Sequence, residues 1–264
     1  MRRVVLLLPL AVVAGGCGHS SKDAATAPPA STPTATAATS TSATTTTVQT
    51  QPAQTLELRV YFLRDGKVAP VARSIPATEA VAAAALQALA AGPTERGLTT
   101  AIPAGTSFPP ISVDGGVATV GFPGGLSHAA IAQVVYTLTQ FPTVRGVRPK
   151  RSLDGKTLTR ADFEDVTPSI LVESPLPGER VTSPLRARGS ANTFEATFVL
   201  EVRDSSNRML ARKTATATSG SGTRGTFDET VPFTAAGPIW LVAYEPSAEN
   251  GRPLHSVRIP LVTG

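Results

Sequence analysis

The residues of this chain that could do chemistry are few and far apart. Cys17 is the only cysteine, and His19, His128 and His255 are the only histidines. One thiol excludes an internal disulfide and a cysteine-based zinc site. It leaves a single nucleophilic sulfur, placed directly after Ala14-Gly15-Gly16 at the end of an apolar run. The histidines fall in a polar N-terminal tract, the first turn of a predicted helix and a late predicted strand, so no two have metal-ligand spacing. Gly220–Gly225 (GSGTRG) fits a Gly-x-Gly-x-x-Gly pattern. A phosphate loop of that kind needs a strand before it and a helix N-terminus after it. A strand follows here, so the stretch is read as a turn. No Gly-x-Ser-x-Gly elbow is present. Asp162, Glu164 and Asp165 cluster in a polar connector. Grouped carboxylates can exchange protons or hold calcium. These are read as solvated on a flexible segment, with calcium-dependent stiffening of the joint as the sharper alternative. No catalytic residue, metal or cofactor is assigned, and the chain is read as not an enzyme.

The densest basic group is Arg145, Arg148, Lys150 and Arg151. On a strand, Arg148 and Lys150 share one side while Arg145 and Arg151 share the other, which splits the patch unless the chain turns at Pro149. Exposed charges that discourage edge pairing are one reading; contact with anionic lipid or wall polymer is the other. The net charge of +5 comes from 24 Lys and Arg against 19 Asp and Glu, scattered among one another. That pattern does not suggest nucleic-acid binding.

The elements that must position these residues begin with Arg2-Arg3 and the eleven apolar residues Val4 to Ala14. Spanning a bilayer takes about 20 helical residues, so the run suits a secretory signal. Ala14-Gly15-Gly16-Cys17 resembles the lipobox of bacterial lipoproteins. The resemblance implies a diacylglycerol thioether on Cys17, cleavage before it, and acylation (palmitate or a similar chain) of the new amino group. The protein would then be extracytoplasmic, held to the cell membrane by an N-terminal lipid, with residues 1–16 as signal peptide. An ordinary signal peptide with a chance cysteine is the alternative. Residues 17–54 are Ser, Thr, Pro and Ala with almost no large apolar side chain. Such a tract cannot offset its ordering entropy and is expected to be a disordered tether. Its root-mean-square span is about 35 Å, from roughly 5–6 Å times the square root of its length. Its composition also suits O-glycosylation.

Residues 55–160 read as an α+β domain, two helices on a small sheet. Leu56–Leu63 and Val68–Ile75 alternate as strands around an Asp65-Gly66 turn. Pro76, Thr78 and Glu79 signal a helix start and Gly92-Pro93 its stop, with Val81, Ala85, Leu86 and Leu89 as the apolar stripe. Ile111–Val113 and Val117–Phe122 flank an Asp114-Gly115-Gly116 turn. Ser127 is a plausible N-cap for a second helix with Ile131, Val134, Val135, Leu138 and Phe141 on one face. Short strands follow around Asp154-Gly155. The blocks LRVYFLRDGKVAPVARSI, ALQALAAGPTERGLTTAIPAGT, VDGGVATVGF and AQVVYTLTQFPTVRGV together resemble the GerMN domain of sporulation and spore-germination lipoproteins. The resemblance implies a small α+β fold and no catalytic residue.

Residues 161–168 form the connector. Residues 169–264 read as an all-β immunoglobulin-like sandwich of seven short strands separated by turn signals. Phe194, Ala196, Phe198, Leu200 and Val202 alternate onto one face, and Trp240 and Tyr244 are core or edge aromatics. The stretch SPLPGERVTSPLRARGSANTFEATFVLEVRD, with FDETVPF and HSVRIPLV, resembles the immunoglobulin-like domain of bacterial spore-germination proteins, which implies a fold and a compartment but no reaction.

These readings converge on a lipid-anchored, non-catalytic interaction or scaffolding protein in sporulation, germination or a related envelope process. Its expected partners are the membrane and envelope proteins. Binding of cell-wall polysaccharide is the alternative, and it would draw on Tyr61, Tyr136, Trp240 and Tyr244 for sugar stacking. A hydrolase is the third class, and the absence of a convergent polar set argues against it.

Overall fold

The structure, a computed structural model, describes residues 54–122, 124–151 and 155–264. The readings of the signal peptide, Cys17 and the tether lie outside the described residues.

Strands β1 (Thr55–Arg64) and β2 (Lys67–Pro76) form an antiparallel hairpin. Asp65 and Gly66 both take positive φ at its tip, which matches the right-handed twist of the strands. Helix α1 (Val81–Ala90) follows and buries Ala85, Leu86 and Leu89. It starts later than Pro76 and Thr78 suggest, because Thr78 Oγ1 accepts from the Ala80 N–H and so closes a turn ahead of the helix. Strands β3 (Ser112–Asp114), β4 (Val117–Val120) and β5 (Gly146–Pro149) form a second sheet. β4 and β5 are parallel, joined through helix α2 (His128–Leu138), whose N-cap Ser127 accepts from the Ala130 N–H. The α+β class therefore holds, with the sheet in two parts.

Helix α2 joins those parts. A single apolar stripe was the expectation, yet Gln133, Tyr136 and Thr137 are buried as fully as Val134, Val135 and Leu138. The polar residues satisfy the outer edge of β1. Gln133 Nε2 donates to the Tyr61 carbonyl at 3.0 Å. The Tyr61 N–H donates to Thr137 Oγ1 at 3.2 Å, and the Arg59 N–H to Gln140 Oε1 at 2.8 Å. Residues 133 and 137 lie on one face of α2 and Gln140 follows just past its C-cap, while residues 59 and 61 point to the same strand edge, so the helix and its end do the work of a neighbouring strand. The stretch from Ala129 to Gln140 contains no charged residue, which was the available hint.

The second module is a sandwich. β6 (Ile170–Ser174), β8 (Leu185–Ala191) and β11 (Gly225–Val231) form one sheet. β7 (Arg180–Val181), β9 (Thr197–Asp204), β10 (Met209–Thr216), β12 (Pro238–Pro246) and β13 (Pro253–Thr263) form the other, in the order β10-β9-β12-β13-β7. Phe198, Leu200, Val202, Leu241 and Ile259 face Ile170, Val172, Leu185 and Phe227 across the core. Phe194 departs from the predicted alternation. Glu195 and Ala196 adopt positive φ, which ends the strand before Thr197 and leaves Phe194 64% exposed. The GSGTRG stretch is a turn, as read. A Cβ at Gly220 would lie 2.4 Å from the Ala196 nitrogen, so glycine there permits a close backbone approach.

Candidate partner-binding cleft

The geometry of the candidate site depends on one strand. β6 has alternating faces, as any strand does. Its even residues Ile170 and Val172 enter the sandwich core, whereas Leu171 belongs to the core of the first module. Glu173 follows Leu171 toward the first module. Its Oε1 accepts from Arg160 Nη1 at 2.8 Å and from the Tyr61 hydroxyl. The Arg160 guanidinium lies 4.7 Å from the Tyr136 ring centroid and 5.5 Å from that of Tyr61, and its Nε donates to Thr139 Oγ1 at 2.8 Å. Burial alone would raise the Glu173 carboxyl, but Arg160, the Tyr61 hydroxyl and Arg59 hold it below the usual carboxylate range. Burial and the neighbouring Glu173 push the Tyr61 phenol far up.

The connector is an ordered 3-10 segment, Arg160–Val166, not a flexible linker. Its three carboxylates diverge. Asp162 accepts from the Thr159 N–H at 2.8 Å and pairs with Lys156, which lowers it to about 2. Glu164 takes both arms of Arg224 at 2.8 and 2.9 Å and the Asn192 amide at 2.8 Å. Asp165 pairs with His128 at 2.9 Å, and the His128 ring packs 4.8 Å from Phe163. Arg224 comes from the GSGTRG turn and also donates to the Pro168 carbonyl. Solvated carboxylates on a flexible segment were expected; each is instead held by its own partner. That divergence leaves them unsuited to joint proton transfer or to calcium. Among the described residues no three His, Cys, Asp or Glu side chains converge on a metal position.

With the modules joined in this way, a cleft of about 570 Å³ opens between β2, β6 and β13. Partly exposed Ala69, Pro177 and Val257, above buried Val68, Val71 and Leu98, give it an apolar floor. Arg64, Lys67, Arg96 and Arg258 line it, against the carboxylates of Asp65 and Glu95. Glu95 is already held by Arg73, at 2.6 and 2.9 Å, and those bonds hold its carboxyl at about 2. Among the described residues the side chains of Arg64 and Arg96 have no hydrogen bond or ion pair, and both are exposed. β13 contributes the unbroken run His255–Pro260. A strand face would contribute alternate residues, so the cleft meets the edge of β13.

The basic group from the sequence lies elsewhere. Arg145 donates to the Gly115 carbonyl at 2.8 Å and Arg148 to Thr157 Oγ1 at 3.1 Å. Lys150 and Arg151 sit in the turn that follows β5. All four are exposed, and none lines the cleft. His255 lines the cleft, with positive φ. Of the aromatics suited to sugar stacking, Tyr61 and Tyr136 are fully buried. Tyr244 is buried with its hydroxyl on Glu201, and Trp240 carries the Arg258 guanidinium 4.8 Å from its ring centroid. Arg160, Glu173 and Arg224 were missed by sequence reasoning: Arg224 meets Glu164 across 60 residues, and Arg160 and Glu173, 13 apart, share no periodic element that would pair them.

No helix among the described residues is long and apolar enough to cross a membrane. No curated protein matches the chain. Among solved structures it is similar to the tandem GerMN domains of the sporulation protein GerM from Bacillus subtilis, with 16% identity and a TM-score of 0.36. That match covers 68% of this chain, and the chain spans only 62% of the other's length. Residues 59–159 match the family described as sporulation and spore germination, and residues 169–252 match the immunoglobulin-like domain of bacterial spore germination. The chain thus carries, in this order, an α+β segment similar to the first of these germination families and a β-sandwich similar to the second.

Proposed function

We propose that this chain is a lipid-anchored envelope protein that works as a non-catalytic interaction module in sporulation, germination or a related envelope process. Cys17 carries the lipid, residues 18–54 set the reach, and the two modules act as one head. The observation that supports a single head is the division of β6 between two cores, with Leu171 in one and Ile170 and Val172 in the other. A head built this way holds the cleft walls at a set distance, which lowers the ordering cost of binding a partner. The filled ring positions of Tyr61, Tyr136 and Trp240 favour a protein partner over a polysaccharide.

Cys17→Ala tests the anchor. Membrane fractions should lose the protein, because thioether lipid contributes about 0.8 kcal/mol per buried CH₂ and cannot form without the sulfur. Unchanged retention would remove the lipid from this reading. Crosslinking in intact cells tests the partner, with envelope proteins expected among the captured neighbours. Retention of the head on purified wall sacculi, with no protein crosslinks, would favour the polysaccharide alternative.

A further inference from the structure

We propose that the cleft between the modules takes an extended acidic segment of a partner protein, added as a strand beside β13. The inference deepens the reading of the chain as a binding module and rests on it. β13 pairs with β12 along one side, but on the other side β7 reaches only Val262 and Thr263. The Gly178 N–H donates to the Pro260 carbonyl, and the Val262 N–H to the Glu179 carbonyl. The even residues of β13 therefore direct their backbone groups to this outer side. Arg258 continues the same edge beyond the segment that leads into β7, and no strand pairs with it there; past it, Ser256 and His255 sit at a β-bulge against β12, with His255 at positive φ. Arg258 and Ser256 are exposed, and both line the cleft. Pro177, where that segment begins, lines the cleft as well, so the cleft begins where the ladder stops. An added segment would extend the ladder by about two residues around Arg258, at ~3.3 Å each, before the bulge, and would place alternate side chains on the apolar floor.

Charge selects the occupant. Arg64, Lys67 and Arg96 bring cationic side chains to the cleft, and the Arg64 and Arg96 side chains have no partner among the described residues. Lys67 gives one bond to a backbone carbonyl, and Arg258 is shared between Trp240 and Asn207. Residues 1–53 of this chain contain only one carboxylate side chain, Asp23, so the N-terminal tract lacks the complementary charge. An acidic segment from another protein supplies it, with Asp or Glu at every second position.

The test pans a random octapeptide library, displayed on phage, against the full chain in detergent. Enrichment of peptides with acidic residues at i and i+2 is expected. An enriched peptide should bind the R64E/R96E protein at least tenfold more weakly. N-methylation of its alternate amides should cost a similar factor, since those amides pair with β13. R96A alone should give a smaller loss of the same sign, and an unchanged thermal melt would show that both variants fold. No enrichment, or enrichment of basic peptides, overturns the proposal, as does equal binding to R64E/R96E. Tolerance of N-methylation combined with full competition by inorganic polyphosphate also overturns it, in favour of a simple anion site. A concentration-dependent dimer abolished by R64E/R96E overturns it in favour of a second copy. All of these readouts use purified protein, so they fail independently of the Cys17 and crosslinking results.

Discussion

Glu173, on the first-module face of β6, accepts a 2.8 Å hydrogen bond from Arg160 of the connector, and this pair sits where the two hydrophobic cores meet. Both side chains are mostly buried, with Tyr61 and Tyr136 closing the site. Breaking one side of such a pair leaves the other charge uncompensated. Glu173→Gln is therefore expected to lower unfolding stability by about 2–4 kcal/mol in urea titrations. Arg160→Met should cost a similar amount. The double variant should lose less than the sum, because the second change removes the stranded charge. Additive losses would show that the pair is not coupled.

The stripe on α2 makes a second case. Gln133 donates to the Tyr61 carbonyl and accepts from the Ala101 N–H at 2.7 Å. Gln133→Leu keeps most of the volume but strands both backbone groups, at about 1–3 kcal/mol each. The amide of Ala101 should exchange with deuterium faster in the variant. An unchanged exchange rate would mean that water or another group replaces the glutamine.

Glycine at position 189 is required by a close approach between strands. A Cβ there would fall 2.0 Å from the Leu171 carbonyl oxygen, so β6 and β8 could not stay in register. Gly189→Ala is expected to cost about 3 kcal/mol or more. Gly124→Ala is the control, since nothing lies within 4 Å of its Cβ, and it should be near neutral. Equal melting temperatures for the two variants would contradict this packing.

The head should lose stability at both ends of the pH scale. The carboxyls of Glu173 and Glu164 are held low, and that of Glu95 at about 2. Their folded values lie below the unfolded ones. Their contribution is therefore complete above the unfolded value of about 4.3 and is lost as pH falls through the folded values. Tyr61 has the opposite sign. Its folded value is raised, so its contribution is present below about pH 10 and fades as pH rises beyond it. Chemical denaturation between pH 2 and 11 should show a plateau with a fall on each side. In Tyr61→Phe the alkaline fall should become shallower.

Much of the fold was legible because it follows from local rules. The two helices, the hairpins and the sandwich strands each carry period-3.6 or period-2 patterns between turn residues. The apolar β6 run and the alternation of Phe198, Leu200 and Val202 were readable in this way. Phe194 was not, since its exposure follows from two left-handed residues that dock on the Gly220 turn. The carboxylates of the connector looked solvated because a one-dimensional reading cannot see Arg224, 60 residues away from Glu164.

Composition and order alone set the class of the chain: one thiol in a lipobox-like context, an α+β segment, then a sandwich without a cysteine pair. Those traits depend on residue type and short-range period, which the covalent chain states directly. Folding in three dimensions decided that β6 serves two cores, that Arg160 and Arg224 clamp the connector, and that a cationic cleft borders the free edge of β13. These are long-range pairings. They exist only once separate elements are brought within hydrogen-bond and van der Waals reach, so no local period states them.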